Sequence, residues 1–151
     1  MNIRHATLDD LPALVRLYGF LAPSDQVLDP HDENVVRHWE DILSDPKLHY
    51  YLVETDNQIV STCTMTLVPN LTRGMRPYGL IENVVTDPDF RKQGLGTKVL
   101  QHALVEAWQA GCYKVMLLTG SKRESTLHFY EKAGFKRGVK TGFVAHPSNY
   151  P

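Results

Sequence analysis

A turn with two glycines is the first feature of the sequence that could do chemistry. In DPDFRKQGLGTKVLQ, Arg91, Gly94 and Gly96 form the pattern R-x-x-G-x-G just before residues with helical spacing. Glycines let the backbone approach a ligand closely, and the free N–H groups at a helix start favour anions. Arg91 and Lys92 add positive charge beside the turn. The pattern predicts a site for a phosphate-bearing ligand, although a solvated loop before a helix would have the same residues.

Two other phosphate-binding motifs are excluded by the spacing. A Walker A loop needs G-x-x-x-x-G-K-[ST], whereas GLGTK lacks the first glycine and reverses the order of lysine and threonine. A dinucleotide fingerprint needs a third glycine, and its glycine turn follows the strand almost directly. Here Val99 stands at the third position, and TDPDFRKQ separates the strand from Gly94. The turn therefore predicts neither nucleotide hydrolysis nor hydride transfer.

A carboxylate inside an apolar strand is the second candidate for chemistry. Glu82 lies in LIENVVTD, a short and largely apolar run of the kind found inside a sheet, so we expect Asn83 to Thr86 to be buried. A carboxylate there must face a wet cleft or be costly to bury. A buried carboxylate has a raised pKa and can act as a general base near neutral pH. The structural alternative is a salt-bridged carboxylate at a strand edge that orients an arginine of a loop.

The apolar spacing predicts the elements that must position these residues. Their order is strand, two helices, three strands, helix, strand, helix, strand. Thr7, with Asp10 three residues later, is a helix-capping pattern, and TDNQ between two β-rich runs indicates a hairpin. The unit from LIENVV through a helix to YKVMLLT is a β-α-β crossover with parallel strands. Gly111 and Gly134 end the last two helices, and KRGVKTGFVA is predicted as the final strand.

These elements predict an α/β (α+β mixed sheet) fold in a single domain, residues 1–151. The sheet should be mixed antiparallel and parallel, with flanking helices. Net charge −1 gives no general attraction to nucleic acid or membrane, and no apolar run reaches the roughly 20 residues that span a bilayer. The start MNIRHATLDD lacks the apolar core of a signal peptide, so we expect a soluble, cytoplasmic protein. Cys63 and Cys112 should be buried and reduced, and the spacing of the histidines predicts no metal site.

The chain resembles the GNAT superfamily of acetyl-coenzyme-A-dependent N-acetyltransferases. The resemblance covers nearly the whole chain in element order and is closest from Leu80 to Phe135. The stretch 91–96 matches the family's [QR]-x-x-G-x-[GA] turn, and FYEKAGF matches its late FYEK-x-GF motif. IENVV and GCYK are also similar to segments of glucosamine-6-phosphate N-acetyltransferases.

The resemblance implies acetyl transfer from acetyl-coenzyme A (acetyl-CoA) to a primary amine. The turn would wrap the coenzyme pyrophosphate, and the NVVT strand, splayed from its neighbour, would pair with the pantetheine arm. A backbone N–H around Val84 or Val85 would stabilise the carbonyl oxygen. The implied coenzyme-binding residues are Val84, Val85, Thr86, Arg91, Lys92, Gln93, Gly94, Leu95, Gly96, Thr97 and Tyr130.

Two residues take catalytic roles by this resemblance. Tyr130 would give a proton to the coenzyme thiolate, although LHFYEKAGF could equally use it for packing. Glu82 would be the general base, since a glutamate at the matching position belongs to the active site of glucosamine-6-phosphate N-acetyltransferases. Arg123 departs from the family, because many members have a coenzyme-contacting asparagine there.

The sequence predicts the acceptor amine in less detail than the acetyl donor, acetyl-CoA. The family resemblance places the acceptor among the loops APSDQVLDPHDE and TRGMRPYG and the C-terminal strand KTGFVAHPSNYP. The first loop is acidic and could attract an amine, whereas the second is basic and could hold a phosphate or carboxylate; both could also be solvated. We expect a small-molecule amine with an anionic group, contacted by Arg73, Arg76, Glu82 and Asn83. A protein amine, or binding of acetyl-CoA without turnover, remains an alternative, and the family makes a homodimer possible.

Overall fold

A five-stranded mixed sheet with helices on both faces forms the protein, which confirms the predicted fold class. The structure is a computed structural model, and it describes residues 1–149. The strands are β1 (Asn2–His5), β2 (Leu48–Thr55), β3 (Gln58–Val68), β4 (Tyr78–Thr86) and β5 (Val115–Leu117). The helices are α1 (Leu11–Leu21), α2 (Glu33–Ser44), the single turn α3 (Thr72–Met75), α4 (Leu95–Gln109) and α5 (Glu124–Ala133). Among the described residues the strand order is β1-β2-β3-β4-β5, in which β4 and β5 are parallel and the other neighbours are antiparallel.

The predicted capping pattern leads the chain into α1. The Thr7 amide donates to the Asp10 carboxylate at 2.8 Å. Arg4 donates two further hydrogen bonds to the same carboxylate, at 2.7 and 2.8 Å. Because Asp10 is only 7% exposed, this ion pair is largely shielded from water. The pair joins β1 to the start of α1.

The predicted hairpin joins β2 and β3. Asp56 and Asn57 form its turn with φ angles of 51° and 59°. Two consecutive residues with positive φ match the twist of antiparallel strands, and Asn and Asp adopt this conformation more readily than most residues. The turn therefore fixes the register between β2 and β3.

Apolar side chains fill a layer on each face of the sheet. One layer lies against α4 and α5, and it includes Cys63 and Cys112, which are buried and free as predicted. The other lies against α1 and α2 around Leu17 and Trp39. These two layers hold the strands and helices that frame the candidate site. Within residues 1–149, no helix is both long and apolar enough to cross a bilayer.

Two strand predictions need correction. β5 is shorter than YKVMLLT and only partly buried, because it is the edge strand of the sheet. The prediction of a final strand at KRGVKTGFVA is wrong, since residues 136–146 contain no strand. Gly138 turns the chain there with a φ of 75°. Gly142 then passes so close to Leu118 that its Cβ would lie 2.6 Å from Cδ2, while Phe143 is left 91% exposed. This segment therefore contacts the residue that follows β5 without pairing with the sheet.

Candidate active site

The centre of the candidate site is the place where β4 separates from β5. The two strands pair only from Gly79 to Ile81, whereas β4 stays paired with β3 as far as Thr86. The outer edge of β4 is therefore open beyond Ile81. Asn83 has a φ of 53° and lies where the register between β3 and β4 shifts. It is exposed, so the expectation that 83–86 forms a buried stretch is wrong at its first residue.

The hydrogen bonds of β4 show which of its backbone groups face this opening. The Asp87 amide donates to the Val60 carbonyl at 2.8 Å, and the Val85 carbonyl accepts from the Ser61 hydroxyl at 3.1 Å. Alternate residues of a strand direct their N–H and C=O groups to opposite edges. The backbone groups of Val85 therefore face β3, and those of Val84 and Thr86 face the opening. An unpaired N–H in this position could donate to a ligand oxygen.

The glycine turn continues from this open edge into α4. Lys92 and Gly94 have φ angles of 62° and 78°, so the chain passes twice through the left-handed region. The Lys98 amide donates to the Gly94 carbonyl at 3.0 Å, which is the first turn of α4. The amides of Leu95, Gly96 and Thr97 precede that bond and have no partner within the helix. These three amides are the cradle that the sequence predicts for an anion, and the anion itself stays a prediction.

Gly96 is the position where a side chain would close the cradle. A Cβ there would lie 3.1 Å from the Phe129 ring and 3.1 Å from the Thr86 hydroxyl. Thr86 in turn lies 2.8 Å from the Ser61 hydroxyl. The absence of a Cβ thus lets β4, the turn and α5 meet closely.

These elements enclose a cavity of about 600 Å³, which we call the turn cavity. Its volume lies within the usual range for small-molecule sites. Ten of the eleven predicted coenzyme-binding residues line it, namely Val84, Val85, Thr86, Arg91, Lys92, Gly94, Leu95, Gly96, Thr97 and Tyr130. Gln93 does not line it and is exposed.

Several lining residues were not predicted from the sequence. Phe20 and Leu21 reach the turn cavity from the end of α1, and Ser125 and Phe129 reach it from α5. No motif marks the end of α1. The FYEK segment, however, could have indicated Phe129, since it precedes Tyr130. Arg123, the departure from the family pattern, is the N-cap residue of α5 and does not line the cavity.

Tyr130 lies between the turn cavity and a second cavity of about 580 Å³. We call the second the C-terminal cavity, because residues 134–143 form one wall of it. Of the residues described, only Tyr130 lines both. Burial raises the pKa of Tyr130, the charge of Glu82 raises it further, and a hydrogen bond with Thr119 opposes them. The phenol is therefore held in its protonated form.

Glu82 lies on β4 between the two cavities. Leu80 lines the C-terminal cavity and Val84 lines the turn cavity, with Glu82 midway between them. The side chain is exposed and lines neither cavity, so the burial that would raise the pKa of a general base is not found here. It makes no ion pair with any residue in 1–149. The Thr64 hydroxyl donates to its carbonyl at 3.1 Å and so holds the backbone beside the opening.

The two predicted acceptor arginines differ in their surroundings. Arg76 donates to the carbonyls of Gly111 and Cys112 at 3.1 and 3.0 Å, which joins the loop before β4 to the end of α4. Arg73 has a φ of 58°, and its guanidinium carbon lies 5.9 Å from the centroid of the Tyr113 ring. The ammonium of Lys114 lies 5.4 Å from the same centroid. Arg73 and Lys114 therefore concentrate positive charge beside the first residues of β4 and β5.

Comparison with known families decides the class of this site. The model of the Acetyltransferase (GNAT) family matches residues 13–135. The chain belongs to the GNAT acetyltransferase family. Enzymes of this family take the acetyl group from acetyl-CoA, and the turn cavity of this GNAT enzyme contains the motif that the resemblance assigned to the coenzyme.

Relatives of this GNAT enzyme include acetyltransferases of amino-sugar phosphates. It is 40% identical over 79 residues to glucosamine 6-phosphate N-acetyltransferase from Trypanosoma brucei brucei, a match that spans 52% of each chain. It is 32% identical over 129 residues to the enzyme of that name from Arabidopsis thaliana, covering 83% of each. Its fold superposes with a TM-score of 0.91 on a putative acetyltransferase from Agrobacterium tumefaciens str. C58, at 41% identity and covering 97% of this chain and 99% of that one.

Proposed function

We propose that this GNAT enzyme acetylates the primary amine of a small molecule that also carries an anionic group. The observation that carries this proposal is the position of Tyr130, which lines both the turn cavity and the C-terminal cavity. A proton donor at that junction can serve a reaction between a donor held in one cavity and an acceptor held in the other.

Acetyl-CoA fits the turn cavity on two grounds. A Cβ at Gly96 would fill the cradle, and the first amides of α4 are free to bind phosphate oxygens. Arg91 and Lys92 add positive charge beside them. When bound, acetyl-CoA supplies an acetyl thioester. The residues proposed to hold it are the ten predicted ones that line the cavity, and also Phe20, Leu21 and Phe129.

Three groups are proposed to handle charge and protons at the opening of β4. The Val84 amide, which faces away from β3, donates to the carbonyl oxygen of the acetyl group. Glu82 takes the proton that the acceptor amine must lose before it can attack. Tyr130 gives a proton to the sulfur as the C–S bond breaks and the C–N bond forms; the nitrogen then loses its second proton to water, and water returns a proton to the tyrosinate. The raised pKa of Tyr130 keeps that proton available at neutral pH.

The C-terminal cavity supports an acceptor with a negative group. Its lining includes Lys114, Lys136 and Lys140, which make no ion pair within residues 1–149. Arg137, also in the lining, is already paired with Glu124 and Glu131. These three lysines suit a phosphate or carboxylate, and Arg73, which shares the Tyr113 ring with Lys114, adds positive charge nearby. Glucosamine 6-phosphate, the substrate named for the Arabidopsis and Trypanosoma relatives, has this combination of amine and phosphate.

An acceptor screen that follows release of free thiol from acetyl-CoA tests the proposal. Matched acceptors are glucosamine 6-phosphate against glucosamine, and 2-aminoethylphosphonate against ethanolamine, with a lysine-containing peptide as the macromolecular control. We expect kcat/KM to be at least about tenfold higher for the anionic member of each pair, as the loss of one charge-assisted contact implies. A preference for the uncharged members, or turnover of the peptide alone, would reject the proposed acceptor class.

A further inference from the structure

Asp87 connects the strand and the turn of the candidate site, although it lines neither cavity. Its amide donates to the Val60 carbonyl at 2.8 Å, which ends the β3–β4 ladder. Its carboxylate accepts from the Asp89 amide at 3.0 Å and so caps the short 3₁₀ turn Pro88–Phe90. Asp87 is 6% exposed. One buried residue therefore sets how the turn leaves β4.

Arg16 of α1 holds Asp87 from the other side. Its Nη1 donates to the Asp87 carboxylate, and its Nη2 donates to the Ile59 carbonyl at 2.7 Å. These two bonds use the fixed fork of a guanidinium, which a lysine cannot reproduce. Through them Arg16 joins α1 to β3 and to the start of the turn.

The charge of Asp87 makes this pairing necessary. Burial raises the pKa of Asp87, but hydrogen bonds from Arg16 and the Asp89 amide, with the charges of Arg16 and Arg91, outweigh it and hold the pKa below its usual range. The carboxylate is therefore ionised at neutral pH. An unpaired carboxylate beside an anion site would repel a phosphate, and Arg16 neutralises it.

The residues that the pair holds belong to the turn cavity. Thr86 precedes Asp87, Phe90 and Arg91 follow it, and all three line the cavity. The guanidinium carbon of Arg16 lies 5.9 Å from the centroid of the Phe20 ring, which also lines it. The pair thus contacts two walls of the cavity, one from the turn and one from α1.

We propose that Arg16 and Asp87 are positioning residues for the coenzyme: their ion pair sets the turn against α1 and β3 and neutralises the Asp87 carboxylate before the coenzyme binds. This inference rests on the proposed use of the turn cavity for acetyl-CoA. A turn held in place beforehand loses less conformational freedom on binding, so the pair contributes to affinity for the coenzyme and not to the chemical step.

Four variants test the proposal: Arg16→Gln, Asp87→Asn, the double variant, and Arg16→Lys. Asp10→Asn is the matched control, because it too removes an Arg–Asp pair. That pair, Arg4 with Asp10, lies at the start of α1 and lines neither cavity. The measurements are the Kd of coenzyme A by calorimetry, KM and kcat with saturating acceptor, and thermal unfolding to show that each variant folds.

We expect Arg16→Gln to weaken coenzyme A binding by at least about tenfold with kcat nearly unchanged. The double variant should bind coenzyme A more tightly than Arg16→Gln does, since it also removes the Asp87 carboxylate that Arg16→Gln leaves unpaired. Arg16→Lys should recover part of the affinity, because it keeps the charge but only one of the two bonds. Asp10→Asn should lower the unfolding temperature without changing the Kd.

Other results would overturn either the positioning role or the proposed function. Wild-type Kd values in Arg16→Gln and Asp87→Asn, or an equal loss of affinity in Asp10→Asn, would overturn the positioning role. Failure of the wild-type enzyme to bind coenzyme A at all would instead reject the proposed function. Coenzyme binding without turnover would leave the test of the pair intact, because its main readout is the Kd.

Discussion

The ring of Phe129 lies 3.1 Å from the point where a Cβ on Gly96 would stand. Phe129 belongs to α5 and Gly96 to the first turn of α4. Thr86 on β4 is equally close to the same point. Three elements therefore meet at a place that has no room for a methyl group, and all three residues line the turn cavity.

Gly96→Ala should weaken binding of acetyl-CoA. The added methyl must push away either an aromatic ring or the end of β4, and overpacking of this kind destabilises a site by about 1–3 kcal/mol. We expect KM for acetyl-CoA to rise by about tenfold or more. Steady-state kinetics with saturating acceptor would measure it.

Gly19→Ala is the control for that substitution. Gly19 lies in α1, and a Cβ there would have no neighbour within 4 Å. Replacing a helical glycine by alanine stabilises a protein by about 0.5–1 kcal/mol. KM for acetyl-CoA should not change. If both alanine variants shifted KM alike, the crowding at Gly96 would not be the cause.

Tyr130→Phe should lower kcat by about 100-fold, since general acid catalysis contributes at least that much in many enzymes. KM for acetyl-CoA should remain close to that of the wild type. The ring centroids of Phe129 and Phe135, 4.9 and 6.5 Å away, would still pack against the substituted ring. Tyr51→Phe is the control: the Tyr51 hydroxyl is buried without a partner among the described residues and lies outside both cavities. A small loss of kcat in Tyr130→Phe would favour a packing role.

Glu82→Gln should lower the pKa of Tyr130. Burial is the main cause of the raised pKa of Tyr130, and the negative charge of Glu82 adds to it. The wild-type phenol should therefore titrate above its usual value of about 10. Removing the neighbouring charge should move the titration to lower pH. The measurement is tyrosinate absorbance, taken as the difference between each enzyme and its Tyr130→Phe counterpart. Identical titrations with and without Glu82 would show that the two groups do not interact.

Asp10→Asn should destabilise the protein in a pH-dependent way. The Arg4 hydrogen bond is the largest influence on Asp10, and it holds the pKa of that carboxyl below its usual range despite burial. A folded-state pKa below the unfolded value of about 3.9 stabilises the protein at higher pH. That contribution is lost as pH falls through the folded-state pKa. Urea unfolding should show wild type more stable by about 1–3 kcal/mol at neutral pH and a smaller difference below about pH 4. A difference that did not depend on pH would contradict this account.

Local patterns predicted most of the elements correctly. Thr7 with Asp10, the turn at Asp56–Asn57, and the glycines that end α4 and α5 each specify a backbone conformation through neighbouring residues. The prediction of a final strand was wrong. The local pattern of KRGVKTGFVA does not contain the close contact between Gly142 and Leu118, which come from separate segments of the chain. The predicted length of β5 was wrong for a related reason, because the length over which a strand pairs depends on a partner strand that is distant in sequence.

The sequence alone determined the glycine turn, the crossover that surrounds it and the family that both indicate, because hydrogen-bonding needs and glycine φ angles act over a few residues. Only the tertiary structure placed Tyr130 between two cavities, opened β4 beyond Ile81 and brought Arg16 to Asp87. Each of those arrangements joins residues from different elements. Their contacts depend on how the helices pack against the sheet, and a local sequence pattern does not contain that packing.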